Sequence, residues 1–186
     1  MNSELSSALL RVLPFVVALV FLGIAMKKGR IVREKIYLVK PFSLQRFLLW
    51  CLAFSVLVVA TEMLLARAQL LEVEKWNHPF FPSVIRILGA VVLAPVVEEL
   101  ILRGVLLSTL MEKMNIHPAI LIQAAVFVLL HSFTYQNTQA SNIAVVQTMV
   151  DGVLYGYARQ HTKSLYTPMT MHMIGNFAAT LERFIV

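Results

Sequence analysis

The sequence predicts an all-α, polytopic integral membrane protein with about six transmembrane helices, organised as a single membrane domain over residues 1–186. Of the 186 residues, 59% are hydrophobic and only 14% are charged, whereas soluble domains carry about 25% charged residues. Several apolar runs are about 20 residues long, which is enough for a helix to cross a ~30 Å hydrocarbon core. The excess of positive charge lies mostly between two of these runs, in the segment from Lys27 to Arg46.

The first two predicted helices, Ser7–Met26 and Leu44–Ala66, carry no motif and are joined by a basic loop, and we group them as residues 7–82. The loop contains most of the net charge of +6, so the positive-inside rule places it in the cytoplasm and the N-terminus outside. A basic segment in this position is typical of contact with lipid headgroups and does not indicate a nucleic-acid partner. Glu62, near the end of the second helix, is expected at the membrane interface.

Four further helices are predicted over residues 83–186. They are expected at Ser83–Lys113, Pro118–Phe133, Ile143–Arg159 and Leu165–Ile185. The first of these four would be about 45 Å long, and Pro95 is expected to bend it because proline removes a backbone donor and clashes with the preceding turn. In the helix from Ile143, Gly152 and Gly156 have the small-xxx-small spacing that lets two helices approach closely. Asp151 is expected to be structural and paired with Arg86 or Arg103.

Three charged residues, Glu98, Glu99 and Arg103, interrupt the apolar run of the third helix. Each charge near the bilayer centre costs about 2.5–3.5 kcal/mol on insertion scales, so ionisable groups at this depth indicate a functional site by default. The alternative is an internal ion pair between helices. Glu99 and Arg103 are four residues apart and can face each other on a helix. Glu98 projects about 100° away from Glu99 and is less compensated, which suits a group that takes and returns a proton near neutral pH.

Two other helices contribute one polar cluster each. His131 ends the apolar run of the fourth helix, and His172 and Asn176 lie four residues apart on one face of the last helix. A lone histidine in an apolar helix is more often structural, but three polar clusters in one small membrane protein favour convergence around one cavity. Such a cavity would hold a base, an imidazole and hydrogen-bond donors, which are the components of a hydrolytic site. No serine or cysteine is placed as a nucleophile, since Cys51 is remote from these clusters in the sequence.

These residues form three motifs that occur in order along the chain. They are Glu-Glu-x-x-x-Arg at 98–103, Phe-x-x-x-His at 127–131 and His-x-x-x-Asn at 172–176. With these motifs the chain resembles the CPBP family of intramembrane proteases, which includes the type II CAAX prenyl endopeptidases and the Abi or bacteriocin-processing proteins. The resemblance covers roughly Val84 to Phe177, and it implies that residues 83–186 form a catalytic four-helix core.

The resemblance implies that the chain hydrolyses a peptide bond with an activated water. Glu98 would activate the attacking water, helped by His131. Glu99 and Arg103 would hold the Glu98 carboxylate in place. The family's fold and activity therefore predict an intramembrane endopeptidase that forms no covalent intermediate.

The last motif supplies the other half of this implied site. His172 and Asn176 would donate hydrogen bonds to the oxyanion of the tetrahedral intermediate. A zinc-dependent alternative stays open, in which Glu98, His131 and His172 would ligate Zn²⁺. We favour a site without a cofactor, because the amide that accompanies the last histidine is a poor zinc ligand and a good hydrogen-bond donor.

The expected partners are a peptide or prenylated-peptide substrate and the lipid bilayer, and the small size of the chain favours a bacterial plasma membrane. Two other functions compete with proteolysis. The first is a non-catalytic bacteriocin-immunity or scaffold protein on the same fold, because fold alone does not determine function. The second is a proton-coupled transporter, since intramembrane acids and histidines also build proton relays. Against transport, the sequence has no visible inverted repeat and only one helix with an obvious break.

Overall fold

The structure, a computed structural model, describes residues 3–70, 73–131 and 135–185. Within these residues it contains six helices and no strand, which confirms the all-α class. The helices are α1 (Ser3–Lys27), α2 (Leu44–Arg67), α3 (Phe80–Met111), α4 (Ile116–His131), α5 (Gln139–Thr162) and α6 (Tyr166–Ile185). Their bounds differ from the predicted ones by a few residues, and the expected end of the fourth helix at Phe133 lies outside the described residues.

Three of the helices, α1, α2 and α3, are long and apolar enough to cross a membrane. The fourth, α4, is a shorter apolar helix of 16 residues. In the most apolar window of α1 no residue is buried, and in that of α2 only 6% are. Leaving such surface in water would cost about 25 cal/mol per Å², whereas lipid tails accept it. The chain is therefore an integral membrane protein in which α1 and α2 face lipid.

The basic loop after α1 packs against the turn between α5 and α6. The backbone N–H of Leu165 donates to the carbonyl of Tyr37 at 2.8 Å, and the N–H of Phe42 donates to the carbonyl of Thr162 at 2.9 Å. Ile36, in the same loop, is only 5% exposed. The loop thus fixes the first two helices against the last two.

The third helix, α3, is not regular along its length. Two π-helical segments, Gly89–Leu93 and Leu100–Leu106, flank a short α-helical stretch, Ala94–Glu99. The backbone N–H of Ala94 donates to the carbonyl of Gly89, five residues earlier. Pro95 follows directly, and the widened turn accommodates both its missing N–H and its ring. The disruption expected at Pro95 therefore takes the form of a π-helical segment within a continuous helix.

Helices α4 and α5 pack closely where two glycines of α5 face α4. A Cβ added at Gly152 would lie 2.9 Å from the Cβ of Ala124, and one added at Gly156 would lie 2.9 Å from Cγ2 of Ile120. Both distances are too short for real Cβ contacts, so the helices reach this separation only with glycine at these positions. The close approach predicted from the spacing of the two glycines is confirmed.

The partners predicted for Asp151 were wrong. Nη2 of Arg86 lies 3.2 Å from Oε2 of Glu4 and 3.1 Å from Oγ of Ser7, both on α1. The guanidinium of Arg103 is engaged elsewhere, by a carboxylate of α3. Within the described residues, Asp151 makes no ion pair shorter than 4.0 Å.

Candidate active site

The two adjacent carboxylates lie in the α-helical stretch of α3 between its two π-helical segments. Irregular turns of this kind are frequent at functional sites because they re-aim side chains relative to a regular helix. The side chain of Glu98 is 20% exposed, whereas that of Glu99 is fully buried. The two neighbours therefore face different surroundings, as their separation around the helix predicts.

Glu99 is held by a buried ion pair. Its Oε1 accepts a hydrogen bond from Nη1 of Arg103 at 2.9 Å, and both side chains are completely buried. Nη2 of Arg103 also donates to the carbonyl of Gly152 at 3.4 Å. The guanidinium carbon lies 4.3 Å from the ring centre of Phe127 and 5.0 Å from that of Tyr155. These aromatic faces and the carboxylate compensate a cation that burial would otherwise penalise strongly.

The same Glu99 carboxylate orients His172. Nδ1 of His172 lies 3.0 Å from Oε1 of Glu99, and since that carboxylate is ion-paired, Nδ1 carries the proton that it donates. The imidazole stacks on Tyr155 with ring centres 5.2 Å apart and meets the ring of Phe127 edge-on. These contacts fix the ring plane, so that Nε2 points away from Glu99 and toward Glu98.

His131 is oriented by its own helix. Its Nδ1 lies 2.8 Å from the carbonyl oxygen of Phe127, and a carbonyl only accepts, so this nitrogen is the donor. The Nε2 atom of the neutral ring is then an acceptor. The side chain is 43% exposed, which makes it the most open of the polar groups around Glu98.

The three polar clusters converge at Glu98. Its Oε2 lies 4.0 Å from Nε2 of His131 and 3.7 Å from Nε2 of His172. Both distances are slightly longer than a direct hydrogen bond, and catalytic contacts are often long without substrate. Within the described residues, this buried oxygen makes no hydrogen bond. The carboxylate can therefore accept a hydrogen bond from a water that also touches the imidazoles.

Asn176 is placed at the edge of this cluster. Its Nδ2 donates to the carbonyl of Ala90 at 2.8 Å, which lies in the first π-helical segment of α3. A primary amide has two N–H donors, and the bond to Ala90 uses one of them, so the second N–H can donate to another group. The side chain thus links α6 to the irregular part of α3 and lines the same cavity as His172.

A cavity of about 420 Å³ adjoins the cluster, within the usual range of ligand pockets. Its walls are formed by α2, α5 and α6 together with the end of α4. We call it the three-helix cavity. The lining residues from α4 and α6 are Phe127, His131, His172, Gly175, Asn176 and Ala179, those from α2 are Leu57, Val58, Thr61 and Glu62, and those from α5 are Ala144, Val146, Gln147, Thr148, Val150, Asp151 and Tyr155.

Two acidic residues of this lining were not predicted as site residues. Glu62, expected at the membrane interface, lines the cavity, and its Oε1 receives a hydrogen bond from Nε2 of Gln147 at 3.4 Å. Asp151 lines the cavity together with His131 and His172. For both residues, the sequence shows only a carboxylate inside an apolar run. It does not show which face of α2 or α5 lines the cavity.

The same geometry bears on the zinc alternative. The Nδ1 atoms of His131 and His172 are already engaged, so a metal would have to be bound by their Nε2 atoms together with Glu98. Within the described residues, no group of three or more His, Cys, Asp or Glu side chains is arranged to hold a metal ion. The side chains do not form a preorganised ligand set there, and we derive no step through a metal.

Comparison with family models matches residues 79–178 to the type II CAAX prenyl endopeptidase Rce1-like family. The match begins just before α3, ends within α6, includes all seven motif residues and covers more than half of the chain. No curated protein and no solved structure matches the chain. The resemblance drawn from the motifs is confirmed at the level of the family: the chain belongs to the Rce1-like type II CAAX prenyl endopeptidases.

Proposed function

We propose that the chain is an intramembrane endopeptidase that hydrolyses a peptide bond in a membrane-associated or prenylated substrate. The family is one of proteases, and the long apolar helices support a cut within or beside the bilayer. The observation that supports the proposal most strongly is the convergence of His131 and His172 on Oε2 of Glu98, at 4.0 and 3.7 Å. Three helices supply these groups, and no simpler packing requirement accounts for all three.

In the proposed reaction, Glu98 acts as the general base. Its Oε2 accepts a proton from a water as the water oxygen bonds to the scissile carbonyl carbon. The carbonyl π electrons move to oxygen and form the tetrahedral oxyanion. Glu98 then returns the proton to the leaving nitrogen, the C–N bond breaks, and the products are a carboxylic acid and an amine. Nε2 of His131, an acceptor in the neutral ring, orients the same water.

The oxyanion would be stabilised from the side of α6. Nδ1 of His172 donates to Glu99, so Nε2 can donate to the oxyanion only when both ring nitrogens carry a proton. Arg103 holds the Glu99 carboxylate in place through its hydrogen bond from Nη1. In this scheme Glu99 and Arg103 position His172, whereas the resemblance alone assigned them to holding Glu98. The remaining amide hydrogen of Asn176 would supply the second donor.

Cleavage of a quenched peptide by the purified full-length chain in lipid vesicles tests the proposal. Glu98→Gln removes the base but keeps the side-chain shape, and His131→Ala removes the second imidazole. We expect Glu98→Gln to lower kcat by at least about 10²-fold, the low end of the range for general acid–base catalysis, and His131→Ala to lower it by less. Glu112→Gln, at the exposed end of α3, is the matched control and should cleave like the unmodified chain.

The same assay separates the competing functions. Activity that survives both Glu98→Gln and His131→Ala would rule out this mechanism. An assay repeated with a chelator tests the zinc alternative directly. Proton flux into the vesicles that depends on Glu98, in the absence of cleavage, would instead favour a proton-coupled transporter.

A further inference from the structure

The walls of the three-helix cavity follow helical spacing. On α5, the residues Ala144, Gln147, Thr148, Asp151 and Tyr155 recur every three or four positions, so they lie on one face. The neighbouring lining positions of α2 and α6 recur in the same way. Both α2 and α5 contribute apolar and polar side chains to the lining. The polar residues of α5 include Asp151 and Tyr155, and the ring of Tyr155 stacks on His172.

Apart from its two histidines, the cavity carries charged side chains of one sign. Its lining includes the carboxylates of Glu62 and Asp151 but no lysine or arginine. The nearby Arg103 does not line the cavity, because it is fully buried against Glu99. Apart from the two histidines, the described lining therefore offers a substrate no cationic side chain.

Asp151 is the single acidic residue of α5, and it lines the cavity together with His131 and His172. It makes no ion pair within the described residues, whereas Glu62 is at least hydrogen-bonded to Gln147. In a site of low dielectric, a second carboxylate placed beside Asp151 is repelled, and a cation or hydrogen-bond donor is attracted. Asp151 therefore biases what can occupy the adjacent space.

The position of Asp151 sets which part of a substrate it meets. It lies four residues before Tyr155, about 6 Å along the helix, and the ring of Tyr155 stacks on His172. An extended peptide advances about 3.3–3.6 Å per residue. A side chain facing Asp151 would therefore belong to a residue one or two positions from the bond held at His172.

We infer that the three-helix cavity selects substrates with a basic or neutral residue one or two positions from the scissile bond and rejects an acidic one there, with Asp151 as the specificity-determining residue. This inference rests on the proposed function. It assigns Asp151 no part in the chemical step, so that its removal changes which peptide is cut rather than whether peptides are cut.

The test uses quenched peptides that differ at a single position. Each carries lysine, glutamine or glutamate one or two residues from the scissile bond, on either side, and kcat/KM is measured for the full-length chain in vesicles. At one of these positions, kcat/KM for the lysine peptide should be at least about tenfold higher than for the glutamate peptide. A tenfold ratio corresponds to about 1.4 kcal/mol. In Asp151→Asn this ratio should fall below about threefold, with the glutamine peptide little changed. Asp151→Glu should keep the preference, and Glu112→Gln is the control for removal of a remote charge.

Several results would overturn the inference while leaving the proposed function intact. Equal rates for the three peptides at every position, or a preference for glutamate, would contradict it. So would a ratio unchanged by Asp151→Asn, or a uniform fall for all three peptides, which indicates a structural role. If no peptide is cleaved in a Glu98-dependent way, the proposed function fails and this inference fails with it.

Discussion

Replacing Arg103 by methionine is expected to destabilise the fold by about 3–5 kcal/mol, because it leaves the Glu99 carboxylate buried without its counter-charge. The two side chains are both fully buried and 2.9 Å apart, so water cannot solvate the remaining charge. Methionine fills a similar length with apolar atoms, which keeps the packing loss small. The variant also removes the hydrogen bond to the carbonyl of Gly152.

The double variant Glu99→Gln with Arg103→Met separates the charge effect from the packing effect. With both charges gone, no unpaired ion is buried, and replacing a complete buried pair costs far less than breaking it. The double variant should therefore be at least about 2 kcal/mol more stable than the sum of the two single changes predicts. Its activity should remain low, because His172 loses the carboxylate at Nδ1.

Denaturant unfolding of the purified chain in detergent micelles, followed by circular dichroism, measures these stabilities. Glu74→Gln is the control, since its side chain is 93% exposed and its pair with Arg183 is 3.7 Å long. That change should leave the unfolding midpoint where it is. The reasoning is refuted if Arg103→Met lies within about 1 kcal/mol of the unmodified chain, or if the single effects simply add in the double variant.

Two more predictions follow from the helix contacts. Gly152→Ala should destabilise the fold by about 1–3 kcal/mol, because its new methyl meets Ala124 at 2.9 Å; Gly23→Ala, with no atom within 4 Å, should be neutral or slightly stabilising in the same unfolding assay, and equal effects would contradict the packing argument. Asn176→Ala should lower kcat by about 10²–10³-fold if its second amide hydrogen serves the oxyanion. A loss of stability with kcat unchanged would mean instead that Asn176 only holds the carbonyl of Ala90.

The sequence predicted the helices and the polar cluster well, because charges in apolar runs are costly and seldom occur without a reason. Glu98, His131 and His172 were predicted as site residues for this reason, and they lie close together in the structure. The Glu99–Arg103 pair followed from a spacing of four residues. Their catalytic roles stay predictions until activity is measured.

The features that were missed depend on tertiary contacts that a local pattern does not encode. Glu62 sits at the end of an apolar run, where an interfacial residue and a cavity residue look alike in the sequence. Arg86 pairs with Glu4, which is 82 residues away, and no helical spacing relates the two. The π-helical segments around Pro95 shift side chains by a fraction of a turn. Helical periodicity does not resolve such a shift.

The central claim is that Glu98 drives hydrolysis of a substrate peptide bond inside the membrane. The most direct measurement is the single-turnover rate of cleavage of one vesicle-anchored peptide by the unmodified chain and by Glu98→Gln, with the cut bond identified by mass spectrometry. The account predicts one defined cut by the unmodified chain and a rate at least about 10²-fold lower for the variant. Equal rates, or the same absence of cleavage in both proteins, would contradict it.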